Sequence, residues 1–255
     1  SPSEIPGGET FYLHTADGAR LLAGYIPGPP GIQRGFLLLP GFWGDWRRKA
    51  YRGLAEALSV HGAVLAANMR GHPGSSGWFA FGKREHHDAA ALVAEARRRG
   101  LGNLTAVGFS LGGWAFARHL GESIEDRTET RHLVLVSTPA RLPLRPRPWK
   151  RGLFVQLKAG GKGWIRPDPR GLWPPRSLAA TLAGLGNLPV SLVYAQDDWM
   201  VPPHHGETLL AAAAGPSRWV YISDPRGLHA EMLALFHAGA LLQAILEPPG
   251  QPPER

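Results

Sequence analysis

Residues 104–112 read LTAVGFSLG, a mostly apolar run that leads into Ser110, with Gly108 two places before it and Gly112 two places after. A chain with 33 glycines in 255 residues meets G-x-S-x-G readily by chance, so the flanks have to decide what the pattern means. It has physical content when the serine sits on a very tight strand-to-helix turn, which lifts the hydroxyl clear of the backbone. Such a turn is strained, and its neighbours at minus two and plus two must be nearly free of side chain. Leu104 to Phe109 is apolar enough for a buried strand. In the following SLGGWAFARHL, Leu111, Trp114, Ala115 and Leu120 fall at helical spacing. Strand, elbow and helix are all expected here, and Ser110 is a candidate nucleophile.

Outward from this stretch, short apolar runs alternate with helical patterns. ETFYLHT and RLLAGYI flank Asp17-Gly18, a hairpin turn signal. GFLLLPG reads as a buried strand, 47–61 as a helix, and AVLAANM as a strand ending at the loop RGHPGSSG. Residues 85–99 read as an amphipathic helix with acid at its start and base at its end, as the helix dipole favours. HLVLVS, VSLVYA and SRWVYIS are further strands, HHGETLLAAAA is a helix, and 230–246 reads as one final helix. A hairpin followed by repeated strand–helix units predicts an α/β fold: a mostly parallel sheet flanked by helices on both faces. No internal repeat is visible, and 1–255 reads as a single domain.

Residues 143–176 break the rhythm with seven prolines and no sustained periodicity. Lying between two strands, they read as a short cap insertion above the ligand-binding edge of the sheet. Nine basic residues, among them Lys150, Arg151 and Lys158, face one acid, Asp168. The +8 net charge of the whole chain therefore equals that of this segment alone. Interleaved tryptophans (Trp149, Trp164, Trp173) make an anionic membrane surface or a phosphate-bearing substrate the expected partner of such a segment, with an ordinary solvated loop as the alternative. No recognition motif accompanies the charge, so nucleic acid is not expected.

Ligands of open α/β sheets bind beyond the carboxyl ends of the strands. The polar residues at those ends are Ser110, the pair Asp197 and Asp198 in VYAQDDWMVPP, and His229 in DPRGLHAEM. A serine hydroxyl is a poor nucleophile until a base takes its proton, and histidine is the base suited to neutral pH. The histidine in turn needs a carboxylate to fix its tautomer and stabilise its cation. The order Ser, Asp, His is the one expected of an elbow serine.

With these residues in place the chain resembles the α/β-hydrolase family, along nearly its whole length. The marks are GFLLLPGFWGDW, NMRGHPGSSG, GFSLGG, AQDDWMVPP and GLHAEM, each short, but all in order. The resemblance implies an α/β-hydrolase fold and a Ser-His-Asp triad. The family places its acid three residues after a small residue and before Val-Pro, which matches Ala195, Asp198 and Val201-Pro202 and favours Asp198 over Asp197. It also implies an oxyanion hole made by the backbone N–H groups of Phe42 and Leu111. The chain departs from many members in having Pro40-Gly41 where they have His-Gly.

The expected activity is that of a serine carboxylic-ester hydrolase, esterase- or lipase-like, working through an acyl-enzyme. An acyl-CoA or other thioesterase, a lyase or C–C hydrolase, and a non-catalytic binding protein are the alternatives. Trp43, Trp46, Trp78 and Trp199 lie on loops at the predicted active edge and suggest an apolar substrate pocket. Adjacent histidines, as in His86-His87 and His204-His205, face apart on a helix and do not readily chelate one ion, so no metal or other cofactor is expected. The absence of cysteine excludes disulfides and thiolate chemistry. No apolar run of about 18 residues suggests a membrane span, and a soluble, cytoplasmic protein with peripheral membrane contact as an option is the expectation.

Overall fold

The structure, a computed structural model, describes residues 8–142, 165–168, 170 and 176–250. The chain opens on the expected hairpin of β1 (Glu9–His14) and β2 (Arg20–Ile26). Gly18 supplies the left-handed residue of its turn at φ +87°, and the Thr15 hydroxyl accepts the Ala19 N–H at 2.9 Å. Then follow β3 (Arg34–Leu39), α1 (Lys49–Ser59), β4 (Ala63–Ala67), α2 (His86–Arg98), β5 (Gly102–Phe109), α3 (Leu111–Glu122), α4 (Ile124–Glu129) and β6 (Thr130–Val136). A small ribbon of β7 (Arg141–Leu142) and β8 (Arg176–Ser177) leads to α5 (Ala179–Ala183). The chain closes with β9 (Val190–Ala195), α6 (His204–Ala212), β10 (Ser217–Ile222), α7 (Glu231–Phe236) and α8 (Ala238–Leu246).

Eight strands form one sheet in the order β1-β2-β4-β3-β5-β6-β9-β10, antiparallel on both sides of β2 and parallel from β4 onward. This is an α/β-hydrolase fold. Successive strand residues point to opposite faces. Leu37, Leu39, Leu133 and Leu135 therefore join one core layer with Leu92 of α2 and Trp114 and Phe116 of α3. Phe36, Leu38, Val134 and Val136 join the other, with Leu54 and Leu58 of α1, Leu233 of α7 and Leu241 of α8. Both faces are covered, which is why the central strands read as continuous apolar runs. From β3 the chain crosses to β4 on one side, and β5 lies on the other. The crevice beyond the carboxyl ends of β3 and β5 is thus a topological switch point, where ligands bind in sheets of this kind.

Two features depart from the sequence expectation. The short helices α4 and α5 carry too few turns to show a period. The final helix is broken at His237, which leaves the helical region (φ −130°, ψ 37°). Its ring Nε2 is tied at 2.7 Å to the buried Asp224, and that tie holds it off the helix path. Of the expected cap, residues 143–164, 169 and 171–175 lie outside the described residues, Lys150, Arg151 and Lys158 among them. Its returning leg, 165–168, runs beside Phe79: Phe79 N–H donates to Arg166 O at 2.8 Å, Arg166 N–H to Gly71 O at 2.9 Å, and Asp168 N–H to Phe79 O at 2.8 Å.

Buried histidine makes the fold acid-sensitive. His132 is fully buried on β6, with Nε2 against Ser191 Oγ at 2.9 Å and Nδ1 against Ile245 O at 3.2 Å, an arrangement that suits the neutral Nδ1–H ring. Burial lowers its pKa to about 3, below the ordinary 6.5. Because the folded pKa is depressed, the unfolded chain binds the proton first, and stability falls as pH drops from about 6.5 toward 3. Urea titrations across this window should show His132→Gln reducing the pH slope of stability by up to about 1.4 kcal/mol per pH unit. An unchanged slope would mean that the ring is already charged in the folded state.

Candidate active site

Ser110 follows β5 directly and begins α3, whose Gly113 and Trp114 N–H groups donate to Ser110 O at 3.1 and 3.3 Å. It sits at φ +52°, ψ −116°, a conformation that costs a non-glycine residue roughly 1–3 kcal/mol. Ser110 N–H donates to Val136 O at 2.7 Å, which pins the elbow to β6. The two glycines of the motif have a steric cause. A Cβ on Gly108 would lie 2.2 Å from the Gly113 Cα, and one on Gly112 would lie 2.1 Å from Leu39 O. Helix α3 therefore crosses back over its own strand in backbone-to-backbone contact. Ser110 is buried at 2% exposure.

The acid comes from the turn after β9. Asp198 Oδ1 accepts the N–H groups of Met200 and Val201, both at 2.9 Å, so the carboxylate organises its own loop. Its two oxygens lie 2.8 and 3.0 Å from His229 Nδ1. Asp197 is exposed, and Asp224 is engaged by Arg226 and His237, so neither competes for the imidazole. His229 lies in the loop before α7. Ala230, at φ +43°, donates its N–H to Ser137 Oγ at 3.3 Å, and the Trp199 ring meets the imidazole edge-on at 6.5 Å. Ser137 follows Val136, the residue that holds Ser110, so the elbow and the histidine loop are both tied to the end of β6. Among the described residues, Ser110 Oγ and His229 Nε2 form no hydrogen bond with each other; the structure joins His229 to Asp198, and Ser110 and the histidine loop share the end of β6 as an anchor.

The loop after β3 abuts the elbow, since a Cβ on Gly41 would be 2.8 Å from Ser110 Cβ. Residues 41–44 form a turn closed by Gly44 N–H to Gly41 O at 2.9 Å, with Trp43 at φ +62°. No described backbone carbonyl accepts the Phe42 N–H, and the Leu111 N–H is at the first helical position, where no intrahelical partner exists. Trp43 N–H donates to His72 Nε2 at 3.1 Å. Sequence reasoning missed His72 and Ser137, and also Phe79 and Phe81, which pack with Phe42 at ring separations of 5.2 and 5.6 Å. The signal for His72 lay in RGHPGSSG, read from the sequence only as a loop and as part of a family mark.

The four tryptophans separate. Trp43 packs on Phe42 at 4.8 Å and Trp199 on His229. Trp78 is 61% exposed. Trp46 does not belong to the site. Its ring is buried against Gly24, where a Cβ would come within 2.4 Å of it, and its N–H groups bond Asn68 Oδ1 at 2.8 Å and Leu22 O at 3.2 Å. These partners turn it into the core beneath β2.

A family model described as the alpha/beta hydrolase family matches residues 36–250. The chain belongs to that family. Among curated proteins none matches the sequence. The hydrolase is similar in structure to an esterase of Pyrococcus furiosus, with a TM-score of 0.72 at 18% identity over 96% of this chain and 93% of that one. It is also similar to a serine hydrolase of Xanthomonas campestris described as lacking a lid, at 0.64 and 18% over 99% and 100%. A deformylase of Pseudomonas putida S16 aligns at 0.64 and 18% over 94% and 100%. At these identities the likeness speaks to the fold. No helix among the described residues of the hydrolase is long and apolar enough to cross a membrane.

The elbow clearance sets a contrast between two glycines. Gly112→Ala forces a methyl into the Leu39 carbonyl and should destabilise the hydrolase by about 3 kcal/mol or more. Gly53, exposed in α1 with nothing within 4 Å of a Cβ, should become about 0.5–1 kcal/mol more stable as Ala. Denaturant midpoints of the two variants check both signs.

Proposed function

We propose that the protein is a serine hydrolase of acyl esters. The observation that carries this reading is the pairing of His229 Nδ1 with Asp198 at 2.8 Å, together with an elbow serine held at φ +52° and tied, like the histidine loop, to the end of β6. Asp198 accepts a hydrogen bond from the Nδ1–H and so leaves Nε2 as the basic nitrogen. His229 Nε2 takes the proton from Ser110 as its Oγ attacks the acyl carbonyl carbon. The carbonyl oxygen becomes an oxyanion, facing the N–H groups of Phe42 and Leu111 at the positive end of α3. Collapse expels the alcohol, which receives its proton from His229, and leaves an acyl-Ser110 ester. Water then repeats the sequence, and the free acid departs.

The apolar rings about the Phe42 loop favour an apolar acyl group. Among the described residues no arginine or lysine pairs with Asp198; Arg226 pairs with Asp224 and Arg48 with Glu231. A serine in the elbow removes the halide and epoxide chemistry that an aspartate there would perform.

Labelling with a fluorophosphonate probe and turnover of p-nitrophenyl esters of graded chain length test the reading together. Ser110→Ala should abolish both while the melting temperature stays close to that of the wild type, since the Ser110 hydroxyl makes no hydrogen bond among the described residues. Asp198→Asn should lower kcat on the order of 10³-fold, whereas Asp197→Asn and Asp224→Asn should stay within about 3-fold. Labelling of another serine, or a larger loss at Asp224, would sink the assignment.

A further inference from the structure

We infer that His72 is a positioning residue for the oxyanion-binding turn 41–44, holding the Trp43 N–H so that the Phe42 N–H faces Ser110; the inference rests on the esterase reading above. Gly41 C=O and Phe42 N–H belong to one trans peptide and point in opposite directions. Gly44 N–H holds that carbonyl at 2.9 Å on one side, so the Phe42 N–H is directed to the other. The turn that does this places Trp43 at φ +62°, in the third position, where a type II turn calls for glycine. An L-residue there is strained, and something must hold it. The acceptor is His72 Nε2, 3.1 Å from the Trp43 N–H.

His72 is suited to this task. It is 1% exposed, its Nδ1 lies 3.0 Å from Arg70 O, and its ring packs edge-on against Phe79 at 4.9 Å. Both ring nitrogens are satisfied only when Nδ1 carries the proton and Nε2 carries none. Burial lowers its pKa to about 4; Asp45 opposes this shift and Arg48 adds to it. Its own loop is fixed in turn. Buried Arg70 donates to Asp88 through its N–H at 2.8 Å and Nε at 2.9 Å, and to Asp17 at 2.6 and 2.9 Å. The imidazole is thus a neutral acceptor on a rigid mount, and it forms no hydrogen bond with Ser110, Asp198 or His229.

His72→Phe keeps an aromatic ring in the cluster and deletes the acceptor; His72→Gln offers an amide oxygen in its place. With a p-nitrophenyl ester, and rates expressed per fluorophosphonate-titrated site, His72→Phe should lower kcat about 10- to 100-fold with KM within about 3-fold. Affinity for a trifluoromethyl ketone, which binds as an oxyanion adduct, should fall by the same factor as kcat. His72→Gln should recover most of both. Unchanged kcat per titrated site, with only thermal stability lowered, would overturn the role and leave the esterase reading standing. A wild-type protein that neither labels at Ser110 nor cleaves any ester would overturn that reading and this role with it. Should His72→Phe fail to fold, imidazole ¹⁵N shifts of the wild type decide: the Nδ1–H tautomer, neutral at pH 6, is expected, and an Nε2–H or protonated ring would overturn the inference.

Discussion

The closest constraint in the molecule is the crossing of α3 over β5. With Gly108 and Gly113 in backbone contact and Gly112 against the Leu39 carbonyl, the chain has no freedom to relax Ser110 out of its left-handed conformation. The strain is held by the packing of fully buried Trp114, Ala115 and Phe116 on one side and by the Ser110–Val136 hydrogen bond on the other. Strain of this kind persists only where surrounding structure over-determines it. The same contact explains the loop geometry after β3. Because Gly112 meets the Leu39 and Pro40 carbonyls and Gly41 meets the Ser110 side chain, the turn 41–44 is set against the elbow.

The site is otherwise built from backbone groups and neutral rings. Asp198 spends one oxygen on two backbone N–H groups before it meets His229, so its position is fixed by its own turn and not by a distant cation. The charged pairs stand one layer back. Arg70 joins the hairpin turn at Asp17 to α2 at Asp88, and Arg226 with His237 anchors the start of the histidine loop at Asp224. Arg70 holds the Asp17 carboxyl well below the usual carboxylate range. These pairs tie the hairpin turn, the loop after β4 and the start of the histidine loop to their neighbours.

How far the sequence could be read depended on whether a property was local. The elbow was legible because its glycines, apolar strand and helical period lie within seventeen residues. The pairing of His229 with Asp198, and not with Asp197, agrees with the spacing from Ala195 to Pro202 that the family resemblance singled out. The fold followed from the alternation of apolar runs, since strands buried on both faces cannot hide their composition. Trp46 was misread because a tryptophan on a loop looks the same whether it turns to the cleft or to the core. Only the partners Asn68, Leu22 and Gly24, drawn from β2 and the end of β4, settle its direction. The break at His237 depends on Asp224, thirteen residues earlier, and leaves no mark on the helical period. His72 acts on Trp43 across 29 residues, through a ring nitrogen and a backbone N–H, which no pairing of residue types announces.

Backbone hydrogen bonds join residues 165–168 to the loop that carries His72. Outside 143–176 acids and bases balance, and the described part of that segment rests on Gly71 and Phe79, the residues that bracket the His72 loop. Phe79 in turn packs on Phe42 and Phe81 at 5.2 and 5.0 Å. Displacing 165–168 would strip hydrogen bonds from both ends of the loop that supports the turn 41–44, and would loosen the rings beside it. The returning leg of a strongly basic segment is thereby mechanically continuous with the backbone that faces Ser110, through three backbone hydrogen bonds and one imidazole.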